Sequence, residues 1–231
     1  MDLTVFHMLN GVLDGREGFG QAIDLLSRSP MFKGVLVAML ILAYWHKHDD
    51  QSVERRNGLL AIVITSMVAI VVGRAMALLL PFRDRPIHTE GLDLVLAQGF
   101  SENVLRGWSS FPSDNSIFFF SLAFAFFVVS ARAATVLLIH AAIVVALPRI
   151  ILGLHWPSDI IAGVFVGGAV AWIVAPRLKR FFSRLGLATW MENHAVIGYP
   201  ILFFLLFQLS TNFGSARAWA SLMFDLISLS L

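Results

Sequence analysis

Apolar residues fall in blocks along the chain, each ended by a short polar stretch, and the blocks predict helices. They lie at about 31–45, 58–80, 133–152, 158–175 and 195–209, with a further phenylalanine-rich block from Pro112-Ser-Asp-Asn115 to about Ser130. A hydrocarbon core of about 30 Å takes roughly 20 helical residues, so six spans are expected. Ser29-Pro30 opens the first, and Pro81 ends or kinks the second. The run His46-Lys-His-Asp-Asp-Gln-Ser-Val-Glu-Arg-Arg56 reads as a solvated loop, and the segment 82–111 is too polar to lie in lipid. Residues 1–29 alternate apolar clusters with Asp2, Asp14, Arg16, Glu17 and Asp24, a pattern that suits short interfacial helices. Their acidic start and broken apolar run do not resemble a cleavable signal peptide. The segment from Ala216 to Leu231 is apolar and partly amphipathic, interfacial or briefly re-entrant.

Composition turns this pattern into a class. Of 231 residues, 58% are hydrophobic and 14% charged, and the mean hydropathy is +0.78. The expectation is an all-α polytopic membrane bundle of about six transmembrane helices, one membrane domain over 1–231. Within it, 1–29 forms an interfacial segment, 74–168 holds the polar motifs, and 195–231 is a last span and tail. A net charge of +2 is too small to argue for nucleic acid as a partner, which leaves the lipid bilayer. The chain has no cysteine, which excludes disulfides and thiolate metal sites. His46 and His48 sit among carboxylates, but nothing in their spacing fixes a metal geometry. The loops at 46–57, 131–132 and 177–184 carry eight Lys/Arg; the opposite side carries five once Arg83, Arg85 and Arg149 are assigned to a site. The positive-inside rule then puts that site on the periplasmic or extracellular face of a bacterial inner (plasma) membrane.

Charged groups beside a bilayer are costly, which makes the stretch Arg149-Ile-Ile-Leu-Gly-Leu-His155-Trp-Pro-Ser-Asp159 the first candidate for chemistry. Pro157 suits the first turn of a helix, with Asp159 near its positive end. From there the Asp159 carboxylate is expected to accept a proton from one imidazole nitrogen of His155, leaving the other as a nucleophile. Arg149 would clamp an anion. His140, inside the fourth span, reads as an interhelical hydrogen-bonding residue, and Gly163, Gly167 and Gly168 as packing positions.

The pattern Arg-x5-His-x3-Asp over 149–159 resembles the third motif of the type 2 phosphatidic acid phosphatase family, membrane lipid phosphatases that share a helical fold with vanadium haloperoxidases. Pro148 stands where that motif has a serine. Arg85-Pro86 is similar to the end of the first motif, Lys-x6-Arg-Pro, with Leu78 at the lysine position. Arg83, or else Arg74, would supply the missing cation, and Arg83 is favoured because no helix need carry it through lipid. Pro112-Ser-Asp-Asn115 resembles the second motif, Pro-Ser-Gly-His, in the Pro-Ser-Asp-His form. Asn115 replaces the histidine that protonates the leaving group.

The resemblance implies a substrate phosphate held by Arg83, Arg85, Arg149 and Ser113, with Asp114 beside them. His155 would attack to give a phosphohistidine, Asp159 would orient it, and no metal or other cofactor is required. The implied substrate is a lipid-linked phosphate or diphosphate, and Asn115 favours a polyprenyl diphosphate, whose leaving group needs no proton. A silent protein that binds a lipid phosphate, and a lipid phosphotransferase, are the alternatives.

Overall fold

The computed structural model describes residues 2–214, and the expected segment from Ala216 to Leu231 lies outside them. The described residues form helices and no strands. In chain order these are α1 (Asp2–Asn10), α2 (Glu17–Arg28), α3 (Met31–His46), α4 (Ser52–Leu79), α5 (Asp114–Val128), α6 (Ala131–Ile151), α7 (Pro157–Leu185), α8 (Leu187–Asn193) and α9 (Ala195–Ser210). Three of them, α4, α6 and α7, are long and apolar enough to cross a membrane. The pair α2 and α3, bent by 59° across Ser29-Pro30, makes a fourth candidate, and α5 and α9 are shorter apolar helices. The protein is a helical membrane bundle. Phe165, Trp172 and Phe203 point outward and exposed, as a surface solvated by acyl chains requires.

α4, α5 and α7 pack closest at the centre, and small residues allow it. A Cβ added at Gly163 would stand 2.6 Å from the Ser116 Cβ, and one at Gly167 would stand 2.6 Å from the Ile117 carbonyl oxygen. These glycines are contact points between α7 and α5. Phe118, Phe126, Leu59, Ile62 and Trp45, all essentially without exposure, fill the core around them. His140 donates its Nε2–H to the Phe32 carbonyl at 2.7 Å, so it does join α6 to α3. Both partners lie at π-helical turns, Met31–Val35 and Ala141–Ala146, where the widened coil changes which backbone carbonyls are paired.

The polar run 46–56 corrects the sequence reading. Only its first part is loop: α4 begins at Ser52, and Arg55 and Arg56 are buried. Their Nε–H groups donate to the Tyr44 and Trp45 carbonyls at 2.9 Å each, acceptors left open at the end of α3. Arg56 also pairs with Glu192 of α8. At this same end Lys179 donates to the Val128 carbonyl at 3.0 Å and Ser183 bonds Glu54 at 3.0 Å. The basic end of α7 therefore meets the end of α5 and the start of α4, which in turn holds the end of α3 and α8, while the first turn of α7, with the candidate chemistry, lies at the opposite end of the bundle.

Candidate active site

α6 stops at Ile151 because Gly153 turns the chain with φ +70, a conformation that favours glycine. Its carbonyl accepts the Ile87 N–H at 2.9 Å, which ties the 82–113 segment to the turn. Pro157 then starts α7, and the Asp159 carboxylate Oδ2 accepts the Trp156 N–H at 2.8 Å, satisfying one of the donors a helix start leaves open. The Trp156 indole N–H donates to the Asp84 carbonyl at 2.9 Å. His155 is held between these two anchors, 3% exposed.

The imidazole partners differ from the expectation. His155 Nδ1 lies 2.9 Å from the Ser110 carbonyl oxygen, so Nδ1 carries the proton and donates it there. Asp159 Oδ2 is 3.7 Å from Nδ1, too far for a direct hydrogen bond. The tautomer is thus set by a backbone carbonyl of the segment before α5, and Asp159 acts as a nearby charge. Nε2 is left with its lone pair facing Arg85 Nη1 at 3.2 Å. Burial lowers the His155 pKa; the Asp159 carboxylate opposes this, and the Arg85 and Arg149 cations add to it. The ring is neutral at physiological pH, as a nucleophile must be.

Arg85, 5% exposed, is fixed by three backbone carbonyls: Leu154 at 2.7 Å, Ser109 at 3.0 Å and Trp108 at 3.2 Å. Burial lowers its pKa, yet a guanidinium stays charged. A cavity of about 870 Å³ opens in front of it, lined by His155, Arg85, Arg149, Arg74, Asp114 and Asn115 among others. Apolar residues from the end of α4 and just beyond it, Leu78, Leu80 and Phe82, continue the wall, and Leu78 and Phe82 are exposed.

Two expected phosphate ligands are placed elsewhere. Arg83 does not line this cavity. Its Nη1 bonds Asp159 Oδ1 at 2.6 Å and Ser158 Oγ at 2.7 Å, its Nη2 bonds Asp2 Oδ2 at 2.9 Å, and two carboxylates hold it behind the His155 turn. Arg74, the less favoured choice, is the cation that reaches the cavity, paired with Asp114 at 3.2 Å and stacked 4.2 Å over the Trp108 ring. A helix does carry it there, because Asp114 and Trp108 supply polar and aromatic partners. Ser113 is fully buried, and its Oγ caps α5 by accepting the Ser116 N–H at 3.4 Å. Its hydroxyl serves the helix as an N-cap. The sequence reading also missed Lys33, which lines the cavity from the start of α3; a lysine set inside an apolar block was its one signal. His88 lies outside the lining, with Nε2 at 2.9 Å from the Glu102 carbonyl.

Three separate polar stretches therefore converge, with Arg85, Ser110 and His155 in direct contact and Asn115 on the same cavity. The PAP2 superfamily profile matches residues 56–183. The chain belongs to the PAP2 superfamily. Among curated relatives, bacitracin transport permease protein BcrC of Bacillus licheniformis is 28% identical over 203 residues, covering 85% of this chain and 91% of its own length. Putative undecaprenyl-diphosphatase YbjG of Escherichia coli strain K12 is 31% identical over 174 residues, covering 72% and 77%. No solved structure matches. At the level of the PAP2 family the chemistry is that of a lipid phosphatase, and the match spans all three converging stretches.

Proposed function

We propose that this protein hydrolyses a polyprenyl diphosphate at the extracytoplasmic face of a bacterial inner membrane through a phosphohistidine on His155. The observation that carries the reading is the His155 imidazole itself: Nδ1–H spent on the Ser110 carbonyl at 2.9 Å, Nε2 beside Arg85 at 3.2 Å, facing a cationic cavity. Nε2 attacks the terminal phosphorus, and the bond to the bridging oxygen breaks with its electron pair going to the lipid monophosphate. Arg85, Arg149 and Arg74 neutralise the equatorial oxygens, the main task of phosphoryl transfer. Water then cleaves the phosphorus–nitrogen bond, giving inorganic phosphate and restoring neutral His155. A polyprenyl tail fits the apolar wall of Leu78, Leu80 and Phe82. The undecaprenyl-diphosphatase name of one relative agrees with this substrate class, and the basic cluster at the far end of α7 agrees with the orientation.

A second reading, a silent protein that binds the lipid phosphate, is favoured by one observation: the cavity presents Asn115 where the family's acid stands. Phosphate release from matched lipid monophosphates and diphosphates separates the two. Release from the diphosphate, lost in His155→Ala, is the expected result; no release from any substrate with retained phosphate binding would establish the silent protein. Wild-type release by His155→Ala would remove the nucleophile assignment.

A further inference from the structure

α1 meets the site through one face. Asp2, Phe6 and Asn10, spaced four apart, fall on one stripe of the helix, while Leu3 and Met8 on the other side are exposed. Each residue of the stripe grips the turn between α6 and α7. The Asn10 amide donates to the Ile151 carbonyl at 2.8 Å and to the Val95 carbonyl at 2.9 Å. The Phe6 ring, with no exposure, packs 5.5 Å from the Trp156 ring. Asp2 Oδ1 accepts the Ser158 N–H at 3.0 Å, and Oδ2 accepts both the Ser158 hydroxyl at 2.5 Å and Arg83 Nη2 at 2.9 Å.

The last contacts reach the chemistry. Asp159 has no exposure, and a buried carboxylate is tenable only when paired. Its Oδ1 depends on Arg83 at 2.6 Å and its Oδ2 on the Trp156 N–H at 2.8 Å. Arg83 is the more exposed of these partners, about one-third accessible. Asp2 takes the other end of its guanidinium fork, so the fork is fixed by a carboxylate at each end and by Trp156 beneath, 5.5 Å from the ring centre.

We propose that Asp2 is a positioning residue: with Ser158 and Arg83 it holds the Asp159 carboxylate, and through the His155–Asp159 turn it fixes the imidazole against Arg85. This rests on His155 as the nucleophile. Burial raises the Asp2 pKa, but the bonds from Ser158 and Arg83 outweigh it and hold the carboxyl below its usual range, so the clamp is charged at neutral pH.

The test uses the full chain in detergent, with orthovanadate, a five-coordinate mimic of the transferring phosphoryl group, set against inorganic phosphate. Asp2→Asn keeps the size and removes the charge. It is expected to lower vanadate affinity, and kcat on a short polyprenyl diphosphate, by about 10-fold or more, the range seen when outer partners of an ordered histidine are lost. Phosphate affinity and KM should stay within about twofold, since only the transition-state geometry is disturbed. Asp2→Asn added to Arg83→Gln should cost less than Asp2→Asn alone, because Asp2 acts in part through Arg83. Unchanged vanadate affinity in Asp2→Asn overturns the proposal, as does an equal loss for vanadate and phosphate with a lower melting temperature, which marks a structural contact only. His155→Ala is run beside it. If that variant binds vanadate like the wild type, the nucleophile reading falls and this inference with it; if it loses vanadate while Asp2→Asn does not, the inference alone falls.

Discussion

In the proposed reaction Asn115, an amide, offers no proton to the leaving group. A phosphate monoester expels an alkoxide, and a general acid contributes about 10²–10⁴ to such a step. A lipid diphosphate expels a monophosphate, whose conjugate acid titrates near 6, and which departs unprotonated. His88 does not replace the acid, since its Nε2 is turned to the Glu102 carbonyl. Asn115→His should therefore raise turnover of a lipid monophosphate selectively; kinetics on the mono- and diphosphate of one lipid check this, and an equal gain on both would refute it. His155 gives a second expectation. Burial lowers its pKa in the folded protein, so the acidic limb of kcat/KM should lie below the ordinary value of about 6.5. The same shift means the unfolded chain takes up a proton that the folded one refuses. The stability from this group is complete above about 6.5 and declines as pH falls below it, which pH-dependent melting would show. At this scale the sequence displayed the residue types of the site but not their pairing. Arg-x5-His-x3-Asp marks a histidine and a carboxylate one turn apart, yet the proton partner is the Ser110 carbonyl, and a backbone atom leaves no mark in a motif. Arg83 and Arg74 exchanged roles because Asp2, far away in sequence, claims the first.

Among the elements, the seam between α5 and α7 positions the site, because the Ser113 N–H donates to the Asp159 carbonyl across it at 3.2 Å. At Gly167 a new Cβ would meet the Ile117 carbonyl oxygen and, at 2.9 Å, the Ser121 nitrogen, neither of which can swing aside. Gly167→Ala should cost about 1–3 kcal/mol and lower the thermal midpoint in detergent. Gly168→Ala, facing the Phe124 ring at 3.3 Å, should cost less, because a side chain can yield. Equal midpoints for the two would contradict the close approach. Hydrophobic blocks located these helices well, since lipid allows little else, and Pro30, Pro81 and Pro157 marked where helices start or stop. Charge misled at 46–56: Arg55 and Arg56 are polar in sequence but buried, because the end of α3 needs donors, and such a need appears only once two helices are placed side by side.

For the whole molecule, the cations of α7 and the candidate site stand toward opposite ends of a helix of 29 residues, roughly 30–40 Å apart at 1.5 Å per residue. The chain contains no cysteine, so single introduced thiols report topology cleanly. An impermeant maleimide should label Ser101→Cys, in the exposed part of the 82–113 segment, on intact cells, and Asp50→Cys only after permeabilisation; the reverse would invert the orientation. Helix lengths differ within the bundle, and this shapes the cavity. α5 runs only from Asp114 to Val128, about 22 Å at 1.5 Å per residue against a hydrocarbon core of about 30 Å. Its far end is tied to the basic side by Lys179, so the shortfall falls at its start, where Asp114 and Asn115 line the cavity. Asp114 meets Arg74, five residues before the end of α4, so α4 overhangs the start of α5 and carries Leu78 beside the cavity. In the proposed reaction, a lipid headgroup would enter beside the exposed Leu78 and Phe82 while its tail stays against that apolar wall.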